Sequence, residues 1–500
     1  MSVALSIPSA HKVNRPPWPL LALLGVIGLA FGAWVLLSPG DWNPFWVLAL
    51  PIAAGVIWMR PVFGLYGALA AAMLLEQYGI DGLADPVTGR IPFWLNVDSW
   101  TNLKWLTANP LEFLLVLTGL AWYVTIHRAR GVPFRLGRLG GWLLAFLAIV
   151  GFAWGFGLLA GGDFKTSLWE IRPLFYMGAC YLLAANLIET RSQVRIVGWI
   201  VMLGIGVKAL QGLYRYLVPF HANLTDVYAV TGHEDALFFD TMLILAIALA
   251  VYGGPIRQKL VLWGLTPFMA ITLVLTRRRA ALVAILAGVA SLLITLPPRR
   301  RVWLPRLFVP IFLLGLVYVA AFYNSTSAIA QPVQLVKSLY APGNARDASS
   351  NQYRDFEQYD VLVTIRHNPI LGVGFGNKYE QPLPLVPIAF PLRDWIPHNE
   401  IWWIWLKTGT IGFVVFWLFI GSAIIQGSLI LRRLRDPYHQ ALAAMTIAFV
   451  CMQIVIAYAD LQLTFYRNMI YLGIMLGLLV RLEALDAPPA EAEAAAEPVG

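Results

Sequence analysis

Apolar runs of roughly 16–22 residues recur along the whole chain, and each is long enough to cross a hydrocarbon core of about 30 Å. They lie near 19–38, 44–59, 62–76, 111–126, 139–160, 173–188, 195–217, 236–253, 259–275, 280–296, 303–322, 400–430, 440–458 and 466–481. The residues are 59% hydrophobic and only 13% charged, against about 25% charged in soluble domains. The reading is an all-α polytopic membrane protein of about 12–14 transmembrane helices with a large, partly helical loop outside the membrane. Lys12 and Arg15 precede the run Leu20–Leu37. That order resembles a signal sequence, but with no small-residue cleavage site and more spans following, it is expected to remain as an anchor.

The net charge of +9 would suggest nucleic acid in a soluble chain. Here most basic residues fall in short loops between spans, so the charge reports topology and no nucleic-acid partner is expected. With a cytoplasmic N-terminus, the even loops are cytoplasmic. They hold Arg128, Arg130, Arg135 and Arg138, then Arg191 and Arg195, then Arg257 and Lys259, then Arg299, Arg300, Arg301 and Arg306, and finally Arg432, Arg433 and Arg435. The two cysteines, Cys180 and Cys451, sit inside apolar runs and read as packing residues, without a disulfide, zinc site or catalytic thiol.

This orientation divides the chain into a cytoplasmic N-terminus (1–16), a transmembrane bundle (17–322) with an outside loop near 77–110, a large outside loop (323–398), C-terminal transmembrane helices (399–482) and a cytoplasmic tail (483–500) whose Ala/Glu/Pro-rich end is expected to be disordered. Long loops in compact proteins are often functional. In the large loop, Tyr353, Phe356, Tyr359 and Val363 recur at helical spacing, and Asn368-Pro369 predicts the helix end.

One feature opposes the charge pattern. Arg277, Arg278 and Arg279 lie between two spans on the outside face, where arginine runs against the insertion bias. Either an anion compensates them, which the planar donor fork of arginine suits, or they snorkel to headgroups and pair with loop carboxylates. Arg354 sits on the loop helix, close to Asp355 and Glu357, which could pair with it. The run Gly372-Val-Gly-Phe-Gly376 has no strand–helix context for a nucleotide site and reads as a tight turn. His398, between Pro397 and Asn399 at the start of a span, is either a structural residue or one that exchanges protons near neutral pH. His233, Glu234, Asp235 and Asp240 cluster in sequence, but their spacing fits no standard metal site, and none is expected.

His398-Asn399, followed at Gly409 and Gly412, resembles the hallmark of the O-antigen ligase and polymerase superfamily. Arg278-Arg-Ala-Ala-Leu282 is similar to the family's Arg-x-x-x-Leu motif, and Arg354 with Asn368-Pro-Ile-Leu-Gly-Val-Gly-Phe-Gly-Asn377 to its loop signature. The resemblance covers residues 200–430. It implies a bacterial inner-membrane glycosyltransferase, metal-independent and without cofactor, that acts on the periplasmic face. The donor would be a glycan on undecaprenyl pyrophosphate. The acceptor would be a sugar hydroxyl of lipid A-core, for a ligase, or of another lipid-linked repeat, for a polymerase. On this resemblance His398 would be the catalytic base, Arg278, Arg354, Arg277 and Arg279 would bind the pyrophosphate, and Asn399, Gly409 and Gly412 would support them. Direct displacement would invert the anomeric carbon. A transporter or flippase is the alternative of another class; it would also show many spans and buried charges such as Lys208 and Asp460, but favours paired halves with interrupted helices.

Overall fold

A computed structural model describes residues 43–79, 87–223, 229–297, 303–325, 330–338, 341, 345–388 and 390–486. The N-terminal segment 1–16, the first predicted span near 19–38, the arginines at 299–301 and the tail beyond 486 lie outside the described residues. Within them the fold is all-α, with no strand. The helices are α1 (Asn43–Met59), α2 (Val62–Leu74), α3 (Pro110–Trp122, continued by a π-helical turn Tyr123–Arg128), α4 (Gly140–Leu159), α5 (Phe164–Leu187), α6 (Arg191–Leu217), α7 (His233–Val251), α8 (Ile256–Leu275), α9 (Arg279–Thr295), α10 (Trp303–Phe322), α11 (Gln331–Lys337), α12 (Ala345–His367), α13 (Glu400–Arg433), α14 (Pro437–Ala459) and α15 (Tyr466–Asp486). Thirteen of the fourteen predicted spans coincide with helices. Seven of these, α3, α4, α6, α8, α13, α14 and α15, are long and apolar enough to cross a bilayer, and shorter apolar helices accompany them.

Local chemistry fixes where helices begin. Asn109 and Glu112 form a reciprocal capping box ahead of α3, with Pro110 at the first helical position. Thr190 and Gln193 do the same for α6. Asp163, Asn399 and Asp436 cap α5, α13 and α14 with side-chain oxygens.

The interior is built by close backbone approach. Gly473 and Gly477, four residues apart on α15, face α5; a Cβ on either would stand 2.3 Å from Met177 O or 2.4 Å from Tyr181 O. Only glycine permits that spacing, a device common where apolar helices meet in lipid. α14 packs against α9, α7 and α13, and α2 and α8 flank α6.

The loops divide between two ends. The basic loops read as cytoplasmic meet one another: Arg135 N donates to Asn186 (2.8 Å), Gln258 Nε2 to Arg195 O (3.1 Å), and Arg433 pairs with Glu483 (2.9 Å). The other helix ends converge on a second region, beneath α12.

α12 ends at His367, before Asn368-Pro369, as expected. Its aromatic stripe is not the buried face: Phe356 is 36% and Tyr359 51% exposed. Glu357, Asp360, Val361, Thr364 and Ile365 are buried instead. The polar members tolerate burial because each has a partner. Asp360 accepts from Leu383 N (3.0 Å), Thr364 Oγ1 from Glu380 N (2.9 Å), and Glu357 from His398 N (2.8 Å).

The glycine run is a tight turn that locks this loop to the bundle. Gly372, Gly374 and Gly376 have φ of 70°, 76° and 87°, values that favour glycine. A Cβ on Gly374 would lie 2.4 Å from the Gly157 Cα of α4. Opposite it, α13 breaks at Gly409, which has φ 64° and ψ −174°. The freed groups are re-satisfied locally: Thr410 N donates to Pro369 O (2.9 Å) and its hydroxyl to the same oxygen (2.7 Å). Beneath the turn lies a fully buried ion pair, Lys407–Glu170 at 2.8 Å. Glu170 also accepts from Gly376 N (2.6 Å) and Trp403 Nε1 (3.3 Å), and Lys407 donates to Asn377 O.

Candidate functional site

Six segments distant in sequence wall a cavity of about 540 Å³: Glu76–Gly79, Trp169 on α5, Ala229–Glu234, Arg278, Phe390–His398, and Asp460–Phe465. Arg278 and His398 both line it, so the two residues singled out most strongly by the sequence share one chamber.

His398 stands at the entry to α13, where Asn399 Oδ1 accepts from Trp402 N (3.1 Å) and caps the helix. Its Nδ1 lies 3.0 and 3.1 Å from the two oxygens of Glu357, and its backbone N–H donates to the same carboxylate. Glu357 is 1% exposed. A carboxylate accepts only, so Nδ1 carries the hydrogen, and in the neutral ring Nε2 then keeps its lone pair. The Tyr353 ring packs edge-on against the imidazole, with centroids 5.7 Å apart. Burial pushes the Tyr353 phenol above its ordinary range, and the Glu357 charge adds to this.

The arginine triplet splits. The α8–α9 connection is so short that Arg277 adopts left-handed backbone, φ 55°, a strained state for this residue. Arg278 turns toward the cavity, and its Nη1 meets Asp460 Oδ2 at 3.3 Å. Its Nε is buried and bonded to no protein acceptor. Arg279 turns toward the loop, donating to Ser338 O (3.3 Å), Ser338 Oγ (3.1 Å) and Asn351 Oδ1 (3.3 Å), and ties α9 to the base of α12. Neither Arg277 nor Arg279 is among the residues lining the cavity.

Arg278 and Asp460 meet at the cavity wall. Burial pushes the Arg278 guanidinium down from its ordinary value; Asp460 opposes this and the charge of Arg354 adds to it. Burial works to raise Asp460, but the nearby His233 and the charges of Arg278 and Arg354 hold it well below the usual carboxylate range. Asp460 therefore stays ionised, with Arg278 at 3.3 Å and His233 Nδ1 3.7 Å away. Arg354 is not among the residues that line the cavity. Arg354 was weighed as a partner of Glu357; the structure gives Glu357 to His398.

Two of the acidic residues after His233, Glu234 and Asp235, pair with Arg467. Arg467 donates to Glu234 and, at 2.7 Å, to Asp235. On the opposite wall, Lys208 and Arg215 both donate to Glu76 Oε1, at 3.0 and 2.7 Å. Sequence reasoning missed Glu76, the pairing role of Asp460 and the contact of Glu357 with His398, Glu357 being read only as a possible partner of Arg354.

The fold and the cavity define a class: a multi-pass all-α membrane protein whose interhelical loop roofs a polar chamber holding an oriented histidine. Residues 264–417 match the O-antigen ligase family, which supports the O-antigen ligase and polymerase superfamily and, in general terms, a glycosyltransferase of that type. The match runs from α8 through the arginine triplet, α12, the glycine turn and His398 to the kinked first half of α13. No curated protein matches the chain.

Proposed function

We propose that the chain transfers a glycan from undecaprenyl pyrophosphate to an acceptor sugar hydroxyl on the periplasmic face of the bacterial inner membrane, in the manner of an O-antigen ligase. The observation that carries this reading is the presence of Arg278 and His398 in one cavity, with Nδ1 of the histidine occupied by buried Glu357. In the proposed reaction the acceptor oxygen attacks the anomeric carbon and its proton passes to His398 Nε2. The bond from that carbon to the pyrophosphate oxygen breaks on the far side, inverting the centre. Charge gathers on the departing pyrophosphate, where Arg278 and Arg354 stabilise it. Glu357 holds the imidazole in the accepting tautomer and stabilises its protonated form. The donor carries its own activation, so the chemistry of the step requires no nucleotide.

Glycan profiling of a deletion strain tests the reading. Full-length but unattached polymer is expected for a ligase. Single unpolymerised repeats would assign the chain to the polymerases, and an unchanged profile would defeat both.

Two further outcomes are expected. Arg278→Lys should lower transfer by about tenfold or more, because a point charge does not replace two or three fixed donors on an anion; full activity in this variant would assign Arg278 to headgroup contacts. For topology, a cysteine placed at exposed Ser349 should react with an impermeant thiol reagent added outside intact cells, and one at Arg433 should not. The reverse labelling would invert the orientation.

A further inference from the structure

The cavity extends away from Arg278 and His398 to a wall the matched region does not include, formed by Glu76, Tyr78, Trp169, Thr231 and Phe465. Two oxygens on this wall are buried yet bonded to no protein group: Glu76 Oε2 and Thr231 Oγ1. Their residues are only 4% and 2% exposed. Buried polar atoms without partners are costly, and each calls for an explanation.

The wall is built to hold these atoms in place. Glu76 uses its other oxygen, Oε1, for both Lys208 and Arg215. Arg215 then donates through Nη1 to Val230 O (3.1 Å), which fixes the segment carrying Thr231 beside the carboxylate. Thr231 Cγ2 packs toward Gly212, where an added Cβ would lie 2.8 Å from it, so the methyl and the hydroxyl point different ways. Around these oxygens stand rings: Trp169 stacks on Tyr466 (5.6 Å, 15°), and Phe465 meets Tyr78 (5.8 Å) and His233 (5.8 Å) edge-on or tilted.

We propose that this wall is a binding subsite for a pyranose ring of the transferred or accepting glycan, with Glu76 Oε2 and Thr231 Oγ1 bonding its hydroxyls and the aromatic rings covering a C–H face. A sugar ring offers what the wall lacks: a rim of donors for a carboxylate oxygen and a hydroxyl, and an apolar face for the rings. Pockets that place a few fixed polar groups among aromatic side chains are the general form of such sites. The proposal rests on the glycan-transfer reading.

Thr231 is the residue to vary, because removing Glu76 would strand two buried cations. Thr231→Val keeps both branches and deletes only the hydroxyl; Thr231→Ser keeps the hydroxyl and deletes the methyl. With purified full-length protein in detergent, saturation-transfer NMR is recorded against free glucose, galactose, rhamnose and N-acetylglucosamine. At least one sugar should receive saturation from wild type and from Thr231→Ser, and clearly less from Thr231→Val and Trp169→Leu. In turnover with lipid-linked glycan, Thr231→Val should raise KM by about fivefold to tenfold, the size of one hydrogen bond, with a much smaller change in kcat. Thr231→Val matching wild type while Thr231→Ser fails would make the residue a packing element and overturn the subsite. The absence of saturation transfer to any sugar, with turnover intact, would also overturn it and leave the transfer reading standing. Sugar binding with the expected variant pattern, but no transfer from any lipid-linked donor, would overturn the transfer reading and leave the subsite.

Discussion

His398→Ala should slow turnover by about 10²–10⁴, the usual worth of a positioned proton acceptor. The assay is transfer by purified protein in detergent from a lipid-linked glycan to its acceptor. The helix behind the histidine should be unaffected, since Asn399, not His398, caps α13. Glu357→Gln should lose less. An amide oxygen can still accept from Nδ1, so the orientation of the ring survives, but the negative charge that stabilises the protonated ring is gone. The two residues form one unit, so the double variant should be no slower than His398→Ala alone. His398→Gln separates proton transfer from orientation: near-normal turnover there would mean that a hydrogen bond to the acceptor hydroxyl suffices. An Ala variant as active as wild type would remove His398 from the chemistry altogether.

Lys407→Met should cost about 3–5 kcal/mol of stability, the usual effect of leaving one half of a buried ion pair uncompensated. Glu170 would keep its bonds to Gly376 and Trp403 but lose the cation that balances it at 2.8 Å, and the Asn377 carbonyl would lose its donor. The loss should show as a melting temperature several degrees lower for the purified protein. Converting the partner as well, Glu170→Leu with Lys407→Met, should recover part of it, because an apolar pair strands no charge. Some loss should remain, since the Gly376 amide and the Trp403 indole would still lack an acceptor. If Lys407→Met melted with wild type, the pair would not hold the glycine turn to the bundle.

The spans were legible because length and apolarity suffice to find them, and thirteen predicted spans meet helices. The loop helix was legible from spacing, but its buried face was not. The stripe Tyr353, Phe356, Tyr359 predicts only a helix, and the partners that let Glu357, Asp360 and Thr364 be buried lie 16–41 residues further along the chain. Arg278 and His398 stood out because each sits at a span boundary where its chemistry is unusual. The glycine run was legible as a turn, although its clasp on α4 and on the Gly409 break was not, since both depend on which helices become neighbours. Glu76 and Thr231 gave no local signal, and Asp460 read only as a buried charge. They reach the cavity only because α14, α2 and α7 end at the same level of the bundle.

Glu400 accepts hydrogen bonds from the backbone amides of Gln462, Leu463 and Thr464 and from the Thr464 hydroxyl. It stands two residues after His398, and the amides it grips begin two residues after Asp460, the partner of Arg278. The histidine and the guanidinium are thus mounted on a single bracket whose fastening is one carboxylate. Such a mount keeps the reach from His398 to Arg278 constant whatever lines the rest of the chamber. A lineage of such proteins could exchange the surrounding residues to suit glycans of different composition, as a lathe takes new tooling without moving its centres.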